Sequence, residues 1–278
     1  MIRILSILVG LFFTTALAWS FLWGAINFAQ EGKPATAEHE FHKHPKELDL
    51  ASNGAFGKFD KQQLQRGFQV YKEVCSACHS LRLVAFRDLK QLGYNDDEVK
   101  AIAAGFQVPG LDPATGEVNS RPGLATDYFP KPFANDIAAR AANNNAVPPD
   151  LSLITKARHE GPAYVHSLLT GYQNQPAELL KKFPDSKTPT GLHYNPYFAN
   201  LNLAMAPPLT AEGQVSYKDG TKPTVDQMAT DVAAFLVWTA EPKLEKRHQT
   251  GWPVLIFLAF ATVLGNLAYR NIWRGTKH

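Results

Sequence analysis

"EVCSACHS", Glu73–Ser80, holds both cysteines of a 278-residue chain, Cys75 and Cys78, with His79 directly after them. Two cysteines make no disulfide framework, and a bridge across so short a spacing would constrain the unfolded chain little. The pair is therefore chemical rather than structural. Upstream, Asp60 is placed to cap a helix and Gln63 to close a capping box. Leu64, Phe68, Tyr71 and Cys75 then share one face at helical spacing. The thiol pair is expected at the end of an amphipathic helix, with Cys75 on the buried side.

Further out, Asn95–Gly105 has an acidic first turn and a glycine stop, which predicts a short helix. Lys131–Asn145 is a second candidate. Gly161–Tyr172 carries proline in its first turn and is a third. Thr224–Pro242 is the clearest late helix, with Val225, Met228, Val232, Phe235 and Leu236 on one face. Between them, Gln107–Pro130 and Gln173–Pro223 are irregular, proline-rich and too long for idle loops. No alternating strand pattern of useful length is present. Glu31–Lys58 is polar without a sustained period and is expected to be an arm or linker. Its His39, His42 and His44 fit solvated side chains better than a metal site. A mainly α domain with long ordered loops needs something large in its core to pack against.

Two apolar stretches flank this domain. Ile4–Ala29, preceded by Arg3, fits a signal peptide, with cleavage after Ala16–Ala18 or near Ala29, or else an uncleaved membrane span. Gly251–Tyr269 has no ionisable group other than its terminal tyrosine. As a helix it rises about 28 Å, close to a hydrocarbon core of roughly 30 Å. Trp252 and Tyr269 sit at its ends, where amphipathic aromatics favour the interface. The division expected is 1–29 signal peptide or N-terminal membrane segment, 30–59 polar arm, 60–247 exported domain, and 248–278 transmembrane anchor with a short tail. Net charge is only +3, and no basic run interleaved with aromatics suggests nucleic acid.

Cys-x-x-Cys-His is the attachment signature for c-type haem. Each thiol adds to a porphyrin vinyl group, and the adjacent imidazole is placed to ligate iron. A structural zinc site needs four ligands, and His159 and His166 have the wrong spacing to supply two. A thioredoxin-like redox pair needs a βαβ context, whereas these flanks are helical. Haem supplies the missing core. Its attachment outside the cytoplasm places the domain on the periplasmic side and Asn271–His278 in the cytoplasm.

For the sixth iron ligand the internal methionines are Met205 and Met228. Met228 lies on an apolar helix face, where packing is the ordinary role. Met205 lies in "NLAMAPPLT", a loop stiffened by Pro207 and Pro208 that can hold a thioether against iron. His/Met ligation raises the potential and suits electron transfer. His159, His166 and His193 are its rivals.

The chain as a whole resembles the cytochrome c1 family. The resemblance rests on "CSACHS", "RPG" at Arg121–Gly123, "ARAANNNAVPPDLS" at Ala139–Ser152, "KARHEG", "YVHSLLTGY", "YNPYF" at Tyr194–Phe198, "LAMAPPL" and "DVAAFLVWTAEP", followed by one membrane helix. It runs from about Gly57 to Arg270. "HKHPKEL" and the long N-terminal run suggest an alphaproteobacterial member. The resemblance implies a class I c-type cytochrome domain with long loop insertions plus a C-terminal transmembrane helix. It implies one covalent haem c held by Cys75 and Cys78, with His79 and Met205 on iron. Arg158 is implied as partner of a haem propionate, and Pro148 and Pro149 as the wall of the haem edge. Asn143-Asn144-Asn145 stands where many members have Asn-Asn-Gly; asparagine tolerates positive φ, so the turn should survive. Some members carry an extra disulfide near the haem. This chain has no cysteine to spare, so its methionine loop is expected to be held by packing alone.

The function implied is electron relay in the cytochrome bc1 complex, ubiquinol:cytochrome c oxidoreductase. The electron would come from the Rieske iron–sulfur protein and go to a c-type cytochrome, with cytochrome b in the same complex. A free membrane-tethered shuttle, or a haem subunit of a terminal oxidase, is the alternative. No nucleophile or acid–base pair of its own is evident, and a haem enzyme such as a peroxidase would need an open iron site.

Overall fold

Helix α1, Ile2–Gln30, opens the chain, and the computed structural model describes residues 2–30, 36–112 and 114–275. The first part of the expected polar arm, 31–35, and the last three residues of the tail lie outside the described residues. The chain divides into two units. The smaller comprises residues 1–42 and 175–187 and the larger 43–174 and 188–278. In the smaller, Thr36 caps the short α2, Ala37–Phe41. Phe41 meets Phe183 edge-on, and Lys182 reaches Glu40 at 2.6 Å.

The larger unit is built on a helix crossing. Helix α3, Lys61–Val70, starts where Asp60 accepts the amides of Gln62 and Gln63 at 2.9 and 3.2 Å. The cap was expected; the return bond from Gln63 is not formed. The helix does not run evenly to Cys75. Tyr71–Cys75 is a single π turn, closed by Ser76 N to Tyr71 O at 2.8 Å. Such one-turn insertions are frequent at functional sites. A 3₁₀ segment follows at Phe86–Leu92, then α4, Asp96–Ala104, where Asn95 and Glu98 form a full capping box.

The expected loop Gln107–Pro130 contains a hairpin, β1 (Gln107–Leu111) against antiparallel β2 (Val118–Pro122), with Gln107 opposite Pro122 and Leu111 opposite Val118. Its pattern was hidden because Val108 is its one buried residue and Pro109 interrupts it. Helix α5 is only Asp136–Ala142, shorter than the candidate stretch, because Asn135 caps it by accepting the Ala138 amide. Asn144 and Asn145 that follow have φ of 55° and 62°, the positive φ that asparagine tolerates. Then come α6 (Ile154–Ala157) and α7 (Gly161–Thr170). Helix α8, Ala177–Lys182, belongs to the smaller unit. A two-residue ladder pairs β3 (His193–Tyr194) with β4 (Asn202–Leu203). The long helices α9 (Val225–Ala240) and α10 (Leu244–Ile272) close the chain.

Helices α3 and α9 touch backbone to backbone. A Cβ on Gly67 would fall 2.0 Å from Asp231 O, so only glycine permits this approach. Around the crossing Phe68, Tyr71, Phe86, Phe129, Phe235 and Trp238 form one aromatic core; Phe86 and Phe129 have ring centroids 4.4 Å apart, and Phe68 and Phe235 5.7 Å. Arg66 spans the crossing with Nε on Asp231 at 2.9 Å and Nη1 on Asp219 at 2.7 Å. The stretch after Phe41 does not hang free. Lys43 N donates to Pro196 O and Lys46 N to Ser167 Oγ, each at 2.8 Å, and Leu50 is buried in the core.

Candidate haem site

The π turn delivers Cys75 to a tight turn whose carbonyl accepts two amides, Cys78 N at 3.1 Å and His79 N at 2.9 Å. Cys75 packs against the core. Burial, helped by Cys78 nearby, pushes its thiol up to about 12. A thiol held there is a poor redox nucleophile or thiolate ligand at neutral pH. Among the described residues no group of three or more histidine, cysteine or acidic side chains is gathered for a metal. His39, His42 and His44 are exposed.

The His79 ring is fixed by its Nδ1, 2.8 Å from Pro149 O. A carbonyl only accepts, so Nδ1 carries the proton and Nε2 keeps its lone pair for a metal. Burial lowers the imidazole pKa, against the opposing pull of the Pro149 carbonyl. The backbone of His79 is held as well, by the Tyr71 hydroxyl at 3.0 Å. Asp150, next to Pro149, ties the two segments together. Its Oδ2 accepts from Ser80 Oγ at 2.7 Å and Arg82 N at 2.9 Å, and its Oδ1 from Ser152 N at 3.0 Å. Burial alone would raise its pKa, but these donors hold it below the usual carboxylate range. Leu83 N donates to Ser152 Oγ and Leu151 N to Ser80 O, completing the clamp.

Met205 is half-buried in the loop between β4 and α9. Its carbonyl accepts from the Tyr172 hydroxyl at 3.1 Å. Gln214 Nε2 holds Pro208 O at 2.8 Å. Hydrogen bonds as well as packing therefore fix this loop. Met228 is wholly buried among the core side chains of α9. His166 is occupied by Asp226 at 3.0 Å, His159 is exposed, and His193 lies edge-on to Tyr172. Arg158 ends α6 with its side chain exposed and its guanidinium beside the Tyr164 hydroxyl. Pro148 is half-buried and Pro149 exposed.

The residues fit a covalently held haem c: two thiols at the vinyl spacing, and an imidazole with Nε2 free. A family model, the cytochrome C1 family, matches residues 50–276. The chain belongs to the cytochrome c1 family. Among its relatives, "Cytochrome c1" of Rhodospirillum rubrum is 44% identical over 239 residues, covering 83% of this chain and 88% of the relative. "Cytochrome c1, heme protein, mitochondrial" of Saccharomyces cerevisiae is 42% identical over 241 residues, 87% of this chain and 75% of the relative. "Cytochrome b-c1 complex catalytic subunit, mitochondrial" of Candida albicans is 42% identical over 242 residues, 87% and 81%. Cytochrome c1 proteins carry a single covalently attached haem c, and the mainly α domain with a C-terminal apolar helix agrees with the expected class.

Sequence reasoning singled out Cys75, Cys78, His79 and Met205 but passed over the groups that position them. Tyr71 was read only as a core residue, although its hydroxyl reaches the His79 carbonyl. Asp150 carried a usable signal: Asp-x-Ser favours an Asx turn, and Ser152 N does close one. Tyr172 had none, because its target is 33 residues away.

Proposed function

We propose that this chain is the electron-relay subunit of a ubiquinol:cytochrome c oxidoreductase. It takes one electron from a Rieske iron–sulfur protein and passes it to a c-type cytochrome, in a complex with cytochrome b. The observation that carries the reading is the His79 imidazole, held at Nδ1 by Pro149 O with Nε2 left free, beside Cys75 and Cys78 in a short turn, where a disulfide would stabilise the fold little. Bound haem c supplies a one-electron ferric/ferrous couple. The chain's own residues would hold it: Cys75 and Cys78 through thioether bonds, with His79 and Met205 as the ligands offered to iron. Arg158 neutralises a propionate, which a guanidinium suits by its fork of donors, and Pro148 and Pro149 shield the edge. With His79 and Met205 both given to iron no open position would remain, a ligand set that would suit electron transfer rather than oxygen activation.

Residues 1–29 are a leader or first membrane segment, 60–247 the periplasmic haem domain, and 248–278 the anchor in the bacterial inner membrane, with its C-terminus cytoplasmic. Support comes from two described helices, Ile2–Ala29 and Leu244–Ile272, long and apolar enough to cross a membrane.

Met205→Leu tests the ligand set, with Met228→Leu as the competitor. Loss of a soft neutral thioether should lower the potential and open the sixth position to carbon monoxide, while haem stays attached. Each 59 mV or so shifts a one-electron equilibrium tenfold. Met228→Leu, a nearly volume-conserving core swap, should cost under about 1.5 kcal/mol and leave the potential alone. If Met228→Leu gives the low-potential form and Met205→Leu does not, the ligand assignment is wrong; if neither does, a histidine holds the sixth position.

A further inference from the structure

Three side chains on one face of α10 reach alternate backbone groups of the segment before α3. Glu245 Oε1 accepts Phe59 N at 2.7 Å, His248 Nδ1 donates to Gly57 O at 3.2 Å, and Trp252 Nε1 donates to Ala55 O at 3.3 Å. Spacings of three and seven put these residues on one helix face, so the 55–59 strap runs down α10 in the opposite sense. The strap ends in a turn of fixed shape. Gly54 has φ of 76°, and a Cβ on Gly57 would meet Ser52 O at 2.1 Å. Gly57 N closes on Gly54 O, and Lys58 N on Ala51 O.

At the tip, Phe56 is 75% exposed, yet its ring stacks on Trp252 at 4.9 Å and 8°. Trp252 is the first aromatic of the apolar run Gly251–Tyr269, about 10 Å along the helix from Glu245. The two rings thus form one exposed aromatic slab at the level where the run begins. Above it Lys58 and Lys246 are exposed. Aromatic rings with basic residues beside them match the boundary between headgroups and acyl chains.

We propose that the Gly54–Lys58 turn is a lipid-binding foot. Phe56 enters the headgroup–acyl boundary beside Trp252, and the three bonds to α10 transmit that depth to the folded domain, fixing its height and tilt over the bilayer. The proposal rests on the reading of Leu244–Ile272 as the membrane anchor.

The test uses the full-length haem protein in phosphatidylcholine/phosphatidylglycerol vesicles. With Cys75 and Cys78 taken by haem, an introduced cysteine is the one free thiol for a nitroxide. Labels are placed through Ala55→Cys, through Phe260→Cys in the middle of the apolar run, and through Leu111→Cys on the exposed hairpin end. Accessibility to oxygen and to a water-soluble nickel chelate is then measured. The foot predicts a loss of nickel access at 55 relative to 111, with oxygen access kept, and restored nickel access at 55 when Phe56→Ser is added. If 55 is as open to nickel as 111 while 260 is protected, the foot is overturned and the anchor stands. If 260 itself is open to nickel, the anchor reading fails and the foot with it. If 55 is closed to both reagents, protein rather than lipid covers the turn, and the proposal is overturned. Nickel access at 55 that Phe56→Ser leaves unchanged overturns the part given to Phe56.

Discussion

Replacing Asp231 by alanine should strand Arg66 at the helix crossing. The carboxylate is wholly buried. It accepts Arg66 Nε at 2.9 Å, Arg66 Nη2 at 3.1 Å and Gln227 Nε2 at 2.9 Å. The guanidinium side chain is 14% exposed. Burial works against its charge, and the hydrogen bonds to Asp231 and Asp219 more than compensate, so its pKa is raised. Removing one member of a buried pair typically costs about 3–5 kcal/mol, mostly because the other charge is left uncompensated. Arg66 would keep Asp219 at 2.7 Å and the face of the Tyr217 ring at 5.7 Å, which puts the expected loss at the low end, about 3 kcal/mol. At about 1.4 kcal/mol per decade that is roughly a hundredfold in the folding equilibrium. Urea unfolding of the haem protein in detergent, followed by the haem absorption band, measures it. Asp231→Asn, which keeps the volume and one acceptor, should lose less. The double variant Arg66→Met with Asp231→Ala should recover much of the loss, since no charge is then stranded. An Asp231→Ala protein within about 0.5 kcal/mol of the parent, the scale of ordinary surface changes, would refute the reasoning and leave apolar packing as the whole hold between α3 and α9.

The same crossing predicts that Gly67→Ala destabilises by about 3 kcal/mol, the upper end for overpacking, because its Cβ meets backbone that cannot swing away; a thermal melt checks this. Asp150→Ala should loosen the clamp beside His79 and shift the haem spectrum and potential, with Asp150→Asn restoring part of both. Its lowered pKa carries a sign: the stabilisation is complete above the unfolded value of about 3.9 and is lost as pH falls through the still lower folded value. An acid titration of the parent should therefore show a transition that Asp150→Ala lacks. Arg158→Ala should keep haem attached but change its potential; unchanged potential and stability would mark Arg158 as a surface charge.

What the sequence showed depended on the range of the interaction. Helix α4 was legible because Asn95, Glu98 and Gly105 act within one turn of its ends. Helix α9 was legible because burial on one face imprints a period. Cys75, Cys78 and His79 stood out because the haem-attachment signature places its residues side by side. The hairpin at Gln107–Pro122 was not, since a ladder with one buried side chain leaves no alternation to detect. The π turn was hidden too: nothing in Tyr71–Cys75 distinguishes a bond to the fifth residue from one to the fourth. The order in 43–58 escaped because bonds at Lys43, Lys46, Ala55 and Gly57 go to Pro196, Ser167 and α10, more than 100 residues away.

The methionine loop shows how such distant bonds replace a covalent constraint. With both cysteines committed to the attachment motif, no disulfide can close this loop, and packing alone was the expectation. Instead the wholly buried Asn195 gives its amide N–H to Leu201 O at 2.8 Å and its side-chain amide to Leu168 O at 2.8 Å, and accepts Tyr197 N at 3.0 Å. Leu201 takes a φ of 64° to complete the corner, a conformation that costs a branched side chain something and persists only where the surroundings impose it. Further along, Tyr172 holds the Met205 carbonyl and Gln214 the Pro208 carbonyl. At about 1 kcal/mol for each net bond, these five give about 5 kcal/mol, no less than the roughly 2–4 kcal/mol of a typical disulfide. The two devices differ in how they fail. A reduced disulfide releases its loop in one step, whereas removing one hydroxyl or amide here leaves the remaining bonds in place. Tyr172 is the member bonded to Met205 itself, so its loss would be felt at that position before the corner at Asn195 gave way.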